Sequence, residues 1–242
     1  MEIYKYHSCG NAFLIVSDKE IEKDKLDIST LCERYETDGL IIFKCDPFVM
    51  EFYNKDASIA RLCGNGIRCL AHYISDKFNI YKYMDIISLD KIYTLEVESK
   101  NPFISKLYLE YPSNYYDEII QVENKEFIVY LLEVGVKHAV VVTKNLEEDI
   151  SYMLPLYKKL EININLVKTI SNDTFEFITY EKGVGFTKSC GTGSIASAFV
   201  LNDVYNFDTD IKAVSAGGVL NVILDEEIIL RGESHFVGRY SV

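Results

Sequence analysis

The chain has 242 residues, of which 48% are hydrophobic and 26% are charged, and its formal net charge is −12. This length and composition indicate one large globular domain or two small ones. The acidic balance argues against nucleic acid and anionic membrane surfaces as partners, because both require a basic surface. No apolar run is long enough to span a bilayer, and the N-terminal sequence MEIYKYHSCG lacks the pattern of a signal peptide. We therefore expect a cytoplasmic protein.

Short runs rich in β-branched and aromatic residues predict strands, and longer segments with helical apolar spacing predict helices. In chain order the predicted elements are strand Ala12–Ser17, helix Asp27–Tyr35, strand Leu40–Lys44, helix Gly66–Lys77, strands Tyr93–Glu98, Lys106–Glu110 and Ala139–Thr143, helix Leu146–Leu160, strand Phe175–Tyr180, helix Gly193–Asn202 and strand Val219–Leu224. The last of these helices is rich in Ala and Ser on several faces, which suits a helix packed on all sides.

One short phrase, Cys-Gly-x-Gly, occurs twice in the chain. The first copy begins at Cys63 and the second at Cys190, which is 127 residues later (63 to 190). Strand-like runs recur at nearly the same offset, so the sequence predicts an internal duplication. We expect a first domain over residues 1–115 and a second over residues 116–242, with a C-terminal strand near 233–242 packing back on the first.

The Cys-Gly-x-Gly phrase combines a thiol with a turn that exposes backbone N–H groups ahead of a helix. The positive end of a helix dipole binds anions and favours the thiolate form of a cysteine. A buried cysteine in a tight turn would explain one copy equally well. Two copies favour function: one thiolate can remove the proton from a carbon next to a carboxylate, and a second thiol can return a proton to the opposite face.

The other four cysteines have no such context. Zinc sites use closely spaced Cys or His pairs, whereas Cys63 and Cys69 are six positions apart and the four histidines are scattered. The chain is long and carries no export pattern, so we expect free thiols rather than a disulfide framework. Cys69, Cys32 and Cys45 are predicted to be core residues, and Cys9 to lie near the site.

Several motifs follow one another in the order of a known family. They are His7–Phe13 (HSCGNAF), Thr37–Leu40 (TDGL), Tyr53–Ser58 (YNKDAS), Leu62–Cys69 (LCGNGIRC), Glu181–Gly185 (EKGVG), Cys190–Gly193 (CGTG) and Gly217–Gly218. This series resembles the diaminopimelate epimerase family, whose two cysteine motifs read Met-Cys-Gly-Asn-Gly-x-Arg-Cys and Ala-Cys-Gly-Thr-Gly. The resemblance covers most of the chain.

The resemblance implies an α/β (α+β) fold of two pseudo-symmetric domains, each a curled β-sheet around a central helix, with the active site between them. It implies an isomerase that acts on a small amino acid, uses no cofactor or metal, and often forms a homodimer. Carried over residue by residue, the catalytic thiols are Cys63 and Cys190. The residues implied to bind substrate are Asn11, Asn54, Gly64, Asn65, Asn165, Glu181, Lys182, Gly191 and Thr192.

The sequence departs from the family where the far end of the substrate would bind. Val136 replaces an Asn, Lys182 replaces an Arg, and Ala12 replaces an Asp. A lysine cannot reproduce the planar fork with which arginine binds a carboxylate. We therefore expect a two-thiol racemase or epimerase with another substrate, for example histidine, and specificity set by Val136 and Lys182. Diaminopimelate epimerase is the alternative; a metal-dependent enzyme and a non-catalytic amino-acid-binding or redox-sensing protein are the others.

Overall fold

The computed structural model describes residues 1–21, 26–60 and 63–242, so Leu62 of the first cysteine motif lies outside the described residues. The contacts divide the chain into two compact units. The first comprises Met1–Tyr108 and Arg231–Val242, and the second comprises Leu109–Leu230. The domain boundary expected between residues 115 and 116 stays a prediction.

The strands of the first unit are β1 (Glu2–Ser8), β2 (Asn11–Ser17), β3 (Gly39–Lys44), β4 (Val49–Asn54), β5 (Ile59–Ala60), β6 (Tyr83–Ser88), β7 (Lys91–Lys100), β8 (Phe103–Leu109, with Leu109 assigned to the second unit) and β18 (His235–Ser241). Antiparallel pairs join β18 to β1 and β1 to β2, and β2 is parallel to β3. The order continues with β3 antiparallel to β4, β4 parallel to β6, and β6 antiparallel to β7.

The strands of the second unit are β9 (Ser113–Val122), β10 (Lys125–Val134), β11 (Val136–Val142), β12 (Asn163–Thr169), β13 (Thr174–Glu181), β14 (Gly185–Thr187), β15 (Asp210–Ser215), β16 (Gly218–Leu224) and β17 (Ile228–Glu233, whose last residues belong to the first unit). From β9 through β10, β11, β12, β13 and β15 to β16, the contacts repeat the order of parallel and antiparallel pairs seen in the first unit. The predicted pseudo-symmetry is confirmed at the level of strand pairing.

Each unit packs its strands against one long helix of 15 residues. Helix α2 (Gly64–Phe78) contacts β1, β2, β3, β4 and β7 in the first unit, and helix α5 (Gly191–Tyr205) contacts β10, β11, β12, β15 and β16 in the second. Helix α5 contains many small residues and is buried along most of its length, because several strands pack around it. The predicted fold class, a curled sheet around a central helix in each half, is confirmed.

The shorter helices are α1 (Ile28–Arg34), α3 (Leu146–Asp149) and α4 (Met153–Leu160). The prediction of one continuous helix over Leu146–Leu160 is wrong, because a 3₁₀ turn at Ile150–Tyr152 separates α3 from α4. Pro155 lacks an N–H and its ring clashes with the carbonyl four residues earlier, which prevents an unbroken helix here. No helix in the described ranges is long and apolar enough to cross a bilayer.

Candidate active site

The two cysteines of the repeated phrase occupy the same position in the two units. Cys63 is the N-cap of α2 with φ −119° and ψ 108°, and Cys190 is the N-cap of α5 with φ −125° and ψ 114°. The Sγ of Cys63 accepts a hydrogen bond from the Gly66 N–H at 3.4 Å, and that of Cys190 accepts one from the Gly193 N–H at 3.3 Å. Each sulfur therefore replaces the usual capping oxygen of a helix.

The first-turn N–H groups of both helices have no acceptor within their own helix, because every α-helix begins with such donors. In α2 these groups belong to Gly64 and Asn65, and in α5 they belong to Gly191 and Thr192. Donors of this kind, placed at the positive end of a helix dipole, can bind a carboxylate. All four residues were predicted as substrate contacts, and each pair directly follows its own cysteine.

Asn11 and Asn65 meet in the first unit. The side chain of Asn65 is 2% exposed, and its Nδ2 donates to Oδ1 of Asn11 at 2.6 Å. Nη2 of Arg68 donates to Oδ1 of Asn65 at 2.5 Å and to Oγ of Ser8 at 3.0 Å. Sequence reasoning missed Arg68; the available signal was an arginine inside a helix whose other residues predict burial.

Asn54 has a different setting from the other predicted contacts of the first unit. It ends β4, and its Nδ2 donates to Oγ of Ser58 at 2.9 Å within a turn that Ser58 also closes through its carbonyl. Within the described ranges, no hydrogen bond connects Asn54 with Asn11, Asn65 or Cys63. The structure therefore gives Asn54 a turn-forming role and leaves its contact with substrate a prediction.

A chain of three hydrogen-bonded side chains leads to Cys190 in the second unit. Asn165 contacts Nδ1 of His138 at 3.1 Å, and Nε2 of His138 contacts Oγ1 of Thr192 at 3.0 Å. The same Thr192 hydroxyl lies 3.4 Å from the Cys190 sulfur. His138 was not predicted as a site residue; the available signal was its position two residues after Val136, where the sequence departs from the family.

Asn165 is completely buried and its amide is bonded to protein groups. Its Nδ2 also donates to the carbonyl of Ala139 at 3.1 Å, and its Oδ1 accepts from the Thr179 hydroxyl at 3.1 Å. A Cβ built on Gly193 would lie 2.3 Å from Oδ1 of Asn165, so the side chain fills the space left by that glycine. This packing places Asn165 behind the first turn of α5.

Burial is the main reason why the pKa of the Cys190 thiol is raised well above its usual value, and the Glu181 carboxylate raises it further. The Thr192 hydroxyl and the Gly193 N–H act in the opposite direction. Glu181 accepts a hydrogen bond from the Thr187 hydroxyl at 2.5 Å. This environment favours the neutral thiol of Cys190, which is the form that donates a proton.

His138 is the second strongly shifted group of this half. Its complete burial lowers its pKa to about 3. The imidazole is consequently neutral near pH 7 and contributes hydrogen bonds rather than charge to the Thr192 hydroxyl.

The two predicted specificity residues lie at the surface of the second unit. Val136 opens β11 and is 46% exposed, and Lys182 is exposed in the turn after β13. The backbone N–H of Lys182 donates to Oδ1 of Asn163 at 2.8 Å, which fixes the start of this turn. Both side chains are accessible to a ligand, and their role in specificity stays a prediction.

The remaining thiols are unbridged. None of the six cysteines forms a disulfide; Cys32 and Cys69 are buried as predicted, and Cys9 is partly exposed. The prediction that Cys45 is a core residue is wrong, because Cys45 is partly exposed in the turn that follows β3. Burial raises the pKa values of Cys32 and Cys69, as expected for core thiols. In the part of the chain that the structure describes, no three His, Cys, Asp or Glu side chains converge in a metal-binding arrangement.

Comparison with known proteins gives a consistent result. The family model for diaminopimelate epimerase matches residues 3–88. A diaminopimelate epimerase from Campylobacter lari is 32% identical over 246 residues, which cover 96% of this chain and 95% of that protein. One from Clostridium perfringens is 29% identical over 271 residues, covering 98% and 97%.

Solved structures with lower identity share the fold. A phenazine biosynthesis protein of the PhzF family from Bacillus anthracis superposes with a TM-score of 0.77 at 13% identity, covering 100% of this chain and 98% of that one. A hydroxyproline epimerase from Agrobacterium vitis gives a TM-score of 0.73 at 12% identity, covering 100% and 90%. From its near full-length sequence similarity to the curated relatives, the chain belongs to the diaminopimelate epimerase family and is an isomerase of the racemase and epimerase type.

Proposed function

We propose that this protein inverts the α-carbon of an amino acid with Cys63 and Cys190 as its two acid/base groups. The observation that carries the proposal is the equivalence of the two helix starts. Two helices of 15 residues each begin on a cysteine with the same backbone conformation and the same bond from the glycine N–H three residues later. Inversion needs one group that removes a proton and another that delivers one to the opposite face.

The first chemical step breaks the Cα–H bond. The thiolate of one cysteine takes the proton and forms an S–H bond, while the electron pair stays on the substrate and spreads into the α-carboxylate. The first-turn N–H groups of Gly64, Asn65, Gly191 and Thr192 bind that carboxylate and stabilise the charge that develops on it. No oxidation or reduction occurs in this step.

The second step forms a Cα–H bond on the other face. The opposite thiol loses its proton to the α-carbon and becomes a thiolate, so the two cysteines exchange protonation states in each turnover. The neutral form of Cys190, which its burial and Glu181 favour, suits the acid role when Cys63 acts as the base. In the reverse direction the roles are exchanged.

We infer a substrate whose side chain carries less charge than the second amino-acid group of diaminopimelate. Two exposed positions support this choice. The Val136 side chain cannot form a hydrogen bond, and Lys182 offers a single ammonium group rather than the planar guanidinium of an arginine. Histidine is one amino acid of this kind. Diaminopimelate is the second candidate, favoured by the names of the curated relatives.

The test is α-deuterium incorporation in D2O. Purified protein is incubated with LL-diaminopimelate and with a panel of free L-amino acids, including L-histidine, and mass spectrometry detects exchange. We expect α-deuterium exchange with at least one L-amino acid of the panel. With LL-diaminopimelate we expect no exchange or much slower exchange. Exchange in diaminopimelate alone would refute the inferred substrate and leave the two-thiol mechanism standing.

The catalytic assignment is tested with Cys63→Ser and Cys190→Ser, and Cys45→Ser serves as the matched control because Cys45 is a partly exposed thiol outside the site. We expect each catalytic variant to lose racemisation, and the control to keep it. Full racemisation by either catalytic variant would contradict the proposal. Binding of an amino acid without any exchange would favour a non-catalytic binding protein.

A further inference from the structure

Arg68 has the largest completely buried side chain in the described part of the chain. It lies on α2, five residues after Cys63, and Nη2 makes its bonds to Ser8 and Asn65. Its Nε and Nη1 have no hydrogen-bond partner among the described residues. A buried cation with unsatisfied donors is costly to a fold, so its presence calls for an explanation.

The guanidinium determines how the Asn65 amide is oriented. An arginine side chain only donates hydrogen bonds, so the Asn65 atom that faces Nη2 has to be the acceptor Oδ1. The NH2 group of Asn65 then points to the other side, where it meets Oδ1 of Asn11 at 2.6 Å. Without Arg68, either orientation of the Asn65 amide would be open.

The orientation of Asn65 determines that of Asn11 by the same reasoning. Because Asn65 presents a donor, the Asn11 atom that faces it has to be the carbonyl oxygen Oδ1. The Nδ2 of Asn11 is left pointing away from Asn65, and no described residue accepts a hydrogen bond from it. Asn11 is partly exposed, so this NH2 group is available to a ligand.

We infer that Arg68 is a positioning residue which, through Asn65, turns the NH2 group of Asn11 toward the substrate. The inference rests on the proposed function in one respect, namely that Asn11 contacts the substrate. It adds the chemistry of that contact: Asn11 binds a hydrogen-bond acceptor such as a carboxylate oxygen, and would repel a donor.

The kinetic test uses nearly isosteric variants that change the donors and acceptors in the hydrogen bonds linking Arg68, Asn65 and Asn11. In Asn65→Asp the carboxylate still accepts from Arg68 but cannot donate to Asn11, and in Asn11→Asp the group facing substrate becomes an acceptor. We expect both to lower kcat/KM for α-deuterium exchange about 10- to 100-fold, mainly through KM, since a hydrogen bond to a charged group is lost. The probes are L-histidine and LL-diaminopimelate.

Arg68→Met and Arg68→Lys separate orientation from simple packing. Methionine fills the space without a donor and is expected to match the loss in Asn11→Asp, whereas lysine restores a donor-only group and is expected to recover most of the activity. Ser75→Ala is the control, because it removes another buried hydrogen bond of α2, to the Ala71 carbonyl, at a position remote from the first turn. Wild-type KM in Asn11→Asp, or equal losses in Arg68→Met and Arg68→Lys, would overturn the inference.

A second measurement does not depend on activity. In 15N-labelled protein, NMR is expected to show slow solvent exchange for the side-chain NH2 of Asn65 and fast exchange for that of Asn11, and fast exchange for both in Arg68→Met. Slow exchange at Asn11 in the free wild type would overturn the inferred orientation. If no amino acid exchanges its α-proton, the proposed function fails, and the NMR result still decides the orientation of Asn11.

Discussion

Asn165 holds Nδ1 of His138 in a hydrogen bond of 3.1 Å, and both side chains are completely buried. The Asn165 atom in this bond is Nδ2, because the same atom faces the Ala139 carbonyl, which can only accept. Nδ1 of His138 is therefore the acceptor, and its proton resides on Nε2, where it is donated to Oγ1 of Thr192. The hydroxyl hydrogen of Thr192 is then available to the Cys190 sulfur.

Asn165→Asp is expected to reverse the direction of the hydrogen bonds that His138 makes. A carboxylate accepts from Nδ1–H, so the His138 proton moves to Nδ1 and Nε2 draws the Thr192 hydroxyl hydrogen away from Cys190. The 15N chemical shifts of the His138 ring report the tautomer directly, and we expect them to exchange their assignments. Nδ1-protonated His138 in the wild type would contradict the assignment.

Thr192→Val should weaken catalysis through the thiol. The variant keeps the side-chain shape but removes the hydroxyl that lies 3.4 Å from the Cys190 sulfur, and this hydroxyl stabilises the thiolate. We expect kcat to fall about 10-fold, the usual effect of losing one hydrogen bond to a charged group. Thr192→Ser keeps the hydroxyl and should retain most of the wild-type kcat; equal kcat in the Val and Ser variants would refute the prediction.

Gly193→Ala should destabilise the fold more than Gly66→Ala. An added Cβ at Gly193 would lie 2.3 Å from Oδ1 of Asn165, whereas at Gly66 its nearest neighbour is the Cys63 Cβ at 3.3 Å. Forced overpacking of this kind costs about 1–3 kcal/mol in the free energy of unfolding. Urea denaturation of the two variants measures the difference, and a greater loss in Gly66→Ala would show that Asn165 yields easily.

The buried His138 should make the protein less stable in mild acid. Its pKa is about 3 when folded and about 6.5 when unfolded. Between these values the unfolded state binds the extra proton, so stability is fully present above pH 6.5 and is lost as pH falls toward 3. The expected slope from this one group is about 1.4 kcal/mol per pH unit.

His138→Gln is the comparison that isolates this slope, since His7 and His72 also have lowered pKa values through burial and remain in both proteins. Urea denaturation between pH 4.5 and 6 should show a steeper loss of unfolding free energy in the wild type than in the variant. Parallel pH profiles would mean that His138 is protonated in the folded state.

The sequence predicted the two cysteine helices because Cys-Gly-x-Gly has a local physical meaning at a helix start. Arg68 and His138 escaped prediction because the partners that reveal their roles, Ser8 and Thr192, lie 60 and 54 positions away in the sequence and are brought near only by the fold. Strand β9 was missed for a different reason. Most of its residues are exposed, so the apolar alternation that reveals a strand is weak there.

The first and last strands of the chain are hydrogen-bonded to each other, from Glu2 opposite Ser241 to His7 opposite His235. The second unit, by contrast, is one uninterrupted segment that ends at Leu230. During synthesis on the ribosome, the second unit therefore has all its residues before the first does, although the first is begun earlier. We expect the N-terminal strands to wait for β18, so that a nascent chain truncated before His235 would fold its second unit and leave the first incomplete.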